Sequence, residues 1–302
     1  MADSDRKPVR LYVSVIPRTI STAFTKCLSA IEGMEVWFEC FTYCSHTARE
    51  YKLATGEDMP MEYEGNEKQV QQAVTVYERL AGCKLEADRL VYGNVKRKLE
   101  ESTSRYILAK EVYWGFPDQK SREYMPAGFK HVFLIRDPYK VFSSFKKAEV
   151  DQLIKAGLWT DDAETFDLEK DDPFVKASEF FRSTHELWKY IRTNVDPDPI
   201  VINTDDLLAN PAEVLSKFCH RTGLPYSDSL LQWDASPDVT KTWKVTIDNV
   251  LKNFDTFYET ATCSSEFIPP KPPVPKDRLA PDVRRLAEAS MPYFQEMNMF
   301  KI

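Results

Sequence analysis

Glycine is scarce in this chain, with 9 residues in 302 against 19 prolines and 18 phenylalanines. No GxxxxGKS/T run occurs, so the loop that wraps the phosphates of ATP or GTP, built on glycines for close backbone approach and a lysine for charge, is missing. Ordinary kinase or ATPase chemistry, with its magnesium, is therefore not expected. Cysteine is sparse too. Cys27, Cys40, Cys44, Cys83, Cys219 and Cys263 include no CxxC pair and no histidines at zinc-ligand spacing, which points to reduced thiols and no metal centre. There is no basic excess, with 40 Lys and Arg against 47 Asp and Glu and a net charge of -7. That argues against diffuse nucleic-acid binding, which needs a basic face to displace counterions. An anionic ligand has to be held by a few local cations. Long apolar runs are absent as well: Leu11 to Ile16 stops at Pro17, too short for a signal segment, and no later run approaches the roughly 20 residues that cross a bilayer. A cytoplasmic protein with no membrane partner is expected.

What is present is apolar and aromatic. At 43% hydrophobic and 13% aromatic residues the chain can bury a large core, which excludes intrinsic disorder. Its length suits one large domain or two small ones; neither an internal repeat nor a boundary shows within residues 1–260, so a single domain over 1–302 is expected.

Arg10 to Ile16 is rich in β-branched and aromatic residues and reads as a short buried strand. Ser21 or Thr22 can cap a following helix, in which Ala23, Phe24, Cys27, Leu28 and Ile31 recur at helical spacing until Gly33 closes it. Met34 to Phe38, Tyr106 to Lys110, His131 to Ile135 and Ile200 to Ile202 read as further strands with helical patterns after them. Such alternation predicts an α/β fold with a mostly parallel central sheet flanked by helices. Residues 47–101 are polar and amphipathic, with Val70, Ala73, Val74, Tyr77 and Leu80 on one stripe, and read as a helical insertion outside the sheet. Pro269 to Pro275 reads as a stiff linker leading to a final helix from Leu279 to Phe294.

Pro17-Arg18-Thr19-Ile20-Ser21-Thr22 lies between the first strand and the first helix, where open α/β sheets place ligands. A helix N-terminus presents free amides and partial positive charge, hydroxyls of Thr19, Ser21 and Thr22 add donors, and Arg18 adds a permanent two-pronged cation. A capped helix beside a solvated arginine is the plainer alternative. A second cation meets hydroxyls where the strand His131 to Ile135 ends: Asp137 caps a helix starting at Pro138, with Arg136 before it and Ser143 and Ser144 on it.

Here the chain resembles the sulfotransferases that use 3'-phosphoadenosine 5'-phosphosulfate. Arg136 and Ser144 match that family's strand ending in RxP with a serine eight residues after the arginine, and the loop from Pro17 to Thr22 is similar to its arginine-type PRSxST loop. Val201 to Leu215 followed by Gly223-Leu-Pro225 is similar to its YEDLLxNPxxVL…GLP segment. The resemblance implies a three-layer P-loop-like fold and a phosphosulfate donor. Its phosphates would be held by Arg18, Thr19, Ile20, Ser21, Thr22, Ala23, Arg136 and Ser144, and a small-molecule acceptor would be sulfated by in-line displacement without a metal. Arg18 and Lys110, which resembles the family lysine after a central strand, would stabilise the departing phosphate. Glu39 is the favoured base, with Glu111 and His46 as alternatives. Tyr43, Tyr113, Trp114 and Phe116 are candidates for an acceptor pocket or for the core.

The chain departs from the family at several places, among them Thr204, where the segment usually has tyrosine. Ile20 stands where glycine is frequent, and a β-branched residue is not expected at φ > 0, so a differently shaped loop is expected. The RxGxxG tail is missing, leaving Lys241, Trp243 and Lys244 as possible substitutes. Val112 occupies the position of the base histidine of cytosolic members. A non-catalytic nucleotide-binding relative is the competing expectation.

Overall fold

The computed structural model describes residues 7–160, 162–172, 174–248, 250–269, 272 and 274–302. Pro270, Lys271 and Pro273 of the expected linker lie outside the described residues. In chain order the elements are β1 (Val9–Val15), α1 (Ser21–Ser29), β2 (Met34–Phe38), α2 (Cys40–Thr55), α3 (Glu67–Ala81), α4 (Tyr92–Glu101), β3 (Tyr106–Val112), α5 (Gln119–Arg122), β4 (Lys130–Ile135), α6 (Pro138–Lys155), α7 (Glu179–Asn194), β5 (Ile200–Asn203), α8 (Thr204–Ala209), α9 (Pro211–Thr222), β6 (Lys244–Val245), α10 (Val250–Asn253), α11 (Asp255–Thr262) and α12 (Pro281–Asn298). The six strands form one sheet in the order β5-β4-β1-β3-β2-β6, and every pair is parallel.

The strands are apolar on both faces, as parallel strands covered by helices must be. Leu11 to Val15 and all of β3 are buried. β3 runs two residues past the expected end at Lys110, because its pairing with β1 continues to Val15↔Val112; Lys110 and Glu111 therefore lie inside a strand. β6, with two residues paired to Trp37 and Phe38, is too short to carry a recognisable apolar pattern.

Connections leaving β1 and β4 diverge. The chain passes from β1 through α1 to β2 on one side, and from β4 towards β5 on the other. The crevice above the carboxyl ends of these adjacent strands is thus a topological switch point, the place where such sheets bind ligands.

Helix α1 ends earlier than its apolar spacing suggests, at Ser29, and Gly33, at φ 79, instead turns the chain into β2. Lys26 of α1 is buried, and its ammonium donates to the carbonyls of Thr262, the last residue of α11, and Ser264 just past it, a cation placed where a helix end carries partial negative charge. Lys146 of α6 pairs with Asp282 of α12 at 2.9 Å, both buried. Val70, Ala73, Val74 and Tyr77 of α3 form a second apolar cluster with Tyr43 and Tyr51 of α2, whereas Leu80, from the same stripe, is exposed. No described helix is long and apolar enough to cross a membrane.

Candidate active site

Three non-glycine residues adopt positive φ among those described, Arg18 (68°), Ile20 (51°) and Glu39 (59°). All three follow the carboxyl ends of β1 and β2, and all line one cleft of about 2530 Å³. Ile20 thus takes the left-handed conformation that its branched side chain argues against. It is the residue that turns the chain into α1, and its side chain packs against the core, so the surrounding fold dictates its backbone. Such strain costs of order 1–3 kcal/mol per residue and is characteristic of binding loops.

Neither Ser21 nor Thr22 caps α1. Ile20 occupies the cap position and offers no side-chain acceptor. The Thr19 hydroxyl donates to the Ile16 carbonyl at 2.7 Å, bracing the loop rather than facing a ligand. The amide of Phe24 closes the first helical bond onto the Ile20 carbonyl at 3.0 Å. The amides of Ser21, Thr22 and Ala23 precede it, and these residues line the cleft.

Arg18 and Arg136, the two arginines that the sequence offers for an anion, come together here. Arg18 donates through Nε to the Ser144 hydroxyl at 3.0 Å and through Nη1 to the Phe257 carbonyl at 2.7 Å. Arg136 donates through Nη1 to the Arg18 carbonyl at 3.2 Å, and its Nε faces Asp205 at 3.3 Å. Lys140, one turn into α6, pairs with the same carboxylate at 2.9 Å. Burial pulls Arg18 below its ordinary pKa, opposed by Tyr258 and assisted by Arg136, yet a guanidinium stays protonated at any relevant pH. Asp205 thus fixes two of the cations while leaving other donors of each free.

Lys110 lies between Arg18 and Glu39 in the row of strand ends. Its ammonium donates to Glu39 Oε1 and sits 4.4 Å from the Phe38 ring centre. Glu39, at the end of β2, is tied to β3 by its amide on the Lys110 carbonyl at 2.7 Å. Its carboxylate also accepts from the Tyr258 hydroxyl, at 3.1 Å to Oε2. Burial, then the Glu39 charge, holds Tyr258 well above its usual pKa, so it remains a donor. Two consecutive residues of α11 therefore brace the site, Phe257 on Arg18 and Tyr258 on Glu39.

Glu111 is not available as a base. Its two oxygens accept from the Phe41 amide at 3.0 Å and from the Thr42 amide and hydroxyl at 2.9 and 2.8 Å, so it caps α2 from the neighbouring strand. Burial pushes it up to about 8 against the pull of these donors. His46 lines the cleft between Tyr43 and Trp114, but burial and then Arg49 hold it at about 3, too weak a base to work near neutrality.

Tyr43, Tyr113 and Trp114 line the cleft. Phe116 does not: it is buried among Tyr12, Phe41 and Tyr92. The proposed substitutes for the missing tail are elsewhere. Trp243 stacks on Phe38 at 5.1 Å and donates to Ser29, Lys241 pairs with Asp238 and Lys244 with Glu35, because β6 carries this segment to the sheet edge beyond β2. Sequence reasoning missed Lys140, Asp205, Phe257 and Tyr258. Lys140 carried a usable signal, a cation four residues after Arg136; the α11 pair carried none. Among the described residues no group of three histidine, cysteine or acidic side chains is placed to hold a metal ion.

A family model described as a sulfotransferase domain matches residues 193–300. This span contains the Val201–Pro225 segment that carries part of the resemblance, but neither the Pro17–Thr22 loop nor Arg136 and Ser144. No curated protein matches the chain. Among solved structures, the sulfotransferase domain from the curacin biosynthetic pathway is similar at 16% identity, covering 94% of this chain and 98% of that one with a TM-score of 0.44. The sulfotransferase domain from the Synechococcus PCC 7002 olefin synthase is similar at 18% identity, covering 95% and 96%, with a TM-score of 0.43.

Proposed function

We propose that this sulfotransferase-like chain moves the sulfuryl group of 3'-phosphoadenosine 5'-phosphosulfate to a hydroxyl or amine of a small-molecule acceptor. One observation carries the reading: Arg18 and Arg136, from the two loops that diverge at the switch point, meet beside an uncapped helix N-terminus. An uncapped N-terminus flanked by cations suits an anion with several oxygens. The fit of the donor rests on this chain's groups. The amides of Ser21 to Ala23 with Arg18 would hold the 5'-phosphosulfate, and Arg136 with Ser144 and Lys140 would hold the 3'-phosphate.

The donor supplies an activated sulfuryl group; the chain supplies position and charge. As the acceptor oxygen or nitrogen bonds to sulfur, the bridging S–O bond breaks and its electron pair leaves on the 5'-phosphate. Arg18 and the α1 amides stabilise that growing charge, in the manner of preorganised donors elsewhere. Glu39 receives the acceptor's proton. Neutralising Glu39 removes the charge that holds Lys110, so its ammonium is freed towards the departing phosphate as the charge there appears. Tyr258 keeps Glu39 oriented throughout.

The test is a thermal shift with adenosine 3',5'-bisphosphate, followed by a metabolite screen for acceptors of labelled phosphosulfate. Stabilisation and turnover are expected. No stabilisation at millimolar bisphosphate overturns the reading, and stabilisation without turnover of any acceptor leaves a nucleotide-binding protein that is no enzyme.

A further inference from the structure

Glu149 is a buried carboxylate without a partner. It sits on α6, is 6% exposed and lines the cleft; among the described residues nothing donates to it, and its oxygens open to the cleft and are not among the enclosed unpartnered atoms. Leaving such a group unpaired is costly. Phe145, one turn earlier on the same helix face, also lines the cleft and contacts the rings of Phe180 and Phe257 at 4.8 and 5.9 Å. Ser144, which Arg18 grips, precedes Glu149 by five residues, so at about 1.5 Å per residue the two backbone positions are roughly 7.5 Å apart along the helix axis. That is the length of a small molecule.

A second carboxylate shares this wall. Asp172 Oδ1 accepts from the amides of Phe174 and Val175 at 2.9 Å each, while its Oδ2 is buried with no partner; the residue lines the same cleft. Of the cleft's cations, Arg18 and Lys110 are committed to the strand ends, Arg136 and Lys140 to Asp205 and Lys155 to Asp255; Lys147, Lys176 and Lys252 also line it, yet none of the described cations forms an ion pair with Glu149 or Asp172. Burial, with Asp172 adding, pushes Glu149 up to about 8.

We propose that Glu149 and Asp172 form a cation subsite, so that the acceptor presented to Glu39 also carries an ammonium or similar organic cation. The inference rests on the sulfotransferase reading above and names the substrate class of its acceptor side. A neutral hydroxyl adds one hydrogen bond and leaves the pair to lower its charge by holding a proton, whereas an ammonium brings three donors and a compensating charge that takes that proton's place.

Phenethylammonium and 2-phenylethanol are suitable probes, alike in shape and different in charge. In thermal shift and calorimetric titration at pH 7.5, without nucleotide and again with adenosine 3',5'-bisphosphate, the ammonium is expected to bind at least tenfold more tightly than the alcohol. Glu149→Gln, isosteric and relieved of a buried charge, is expected to remain folded and to lose that preference; Asp172→Asn is expected to reduce it. Equal binding of the two probes, no response to the ammonium, or a preference that survives both substitutions overturns the subsite. The arm without nucleotide reads the subsite alone and the bisphosphate arm reads the donor site, so the failure of one reading is distinguishable from the failure of the other.

Discussion

Arg18 reaches across the switch point to Ser144, 126 positions later in the chain, with Nε and Oγ 3.0 Å apart. This bond joins the loop after β1 to the helix after the adjacent β4 and holds the guanidinium in place before any anion arrives. Lysine has the charge but not the fork, and cannot hold Ser144 and the Phe257 carbonyl together. Arg18→Lys is expected to lower turnover of labelled phosphosulfate by on the order of 10² to 10³, the usual cost of a lost preorganised donor, with little change in melting temperature. A loss under tenfold would remove Arg18 from the mechanism.

Ile20 invites a stability measurement whose sign is unusual. At a helix start glycine and alanine differ modestly, but at φ 51 alanine keeps the left-handed strain of roughly 1–2 kcal/mol while glycine does not. Both substitutions lose the packing of the isoleucine equally. Ile20→Gly is therefore expected to be more stable than Ile20→Ala by about 1 kcal/mol in urea denaturation. The opposite order would mean that the loop relaxes to negative φ in solution.

The limits of sequence reading at this site are physical. Strand identity was legible because β1, β2, β4 and β5 are short apolar runs closed by proline, glycine or a cap, and the arginines were legible because they stand directly after such runs. Ile20's conformation was not, since a local preference against φ > 0 was overruled by packing around the α1 start. Lys110 and Glu39 were named separately, but their ion pair depends on the register of β2 on β3, with Phe38 opposite Lys110. Phe257 and Tyr258 reach the site from a helix of eight residues with no motif, and no periodicity places α11 over the loop after β1. Glu111 stayed an alternative to Glu39 because a carboxylate at a strand end looks the same whether it faces a substrate or the amides of α2.

Glu149 gives folding stability a pH dependence of definite sign. Its pKa rises from 4.5 to about 8 on folding, so the folded state binds the extra proton. The associated stability is fully present below the unfolded value, is lost progressively as pH rises towards about 8, and then levels. Glu111 titrates in the same window, which makes the difference between wild type and Glu149→Gln the informative quantity. Denaturation midpoints are expected to coincide near pH 4.5 and to separate in the variant's favour up to pH 8. Parallel curves over that range would show that Glu149 is paired or solvated in solution.

Glu39, held between Lys110 and Tyr258, separates proton transfer from binding. Glu39→Gln keeps the shape and still accepts from Tyr258, but cannot take a proton at neutral pH. Turnover is expected to fall by on the order of 10² to 10⁴, with stabilisation by adenosine 3',5'-bisphosphate retained. Lys110→Met should behave differently, because it strands a buried carboxylate: roughly 3–5 kcal/mol of stability is expected to go along with activity. If Glu39→Gln keeps more than a tenth of wild-type turnover, the acceptor's proton leaves by another route, and since Glu111 is occupied by α2 and His46 is held near 3, that route would have to be solvent.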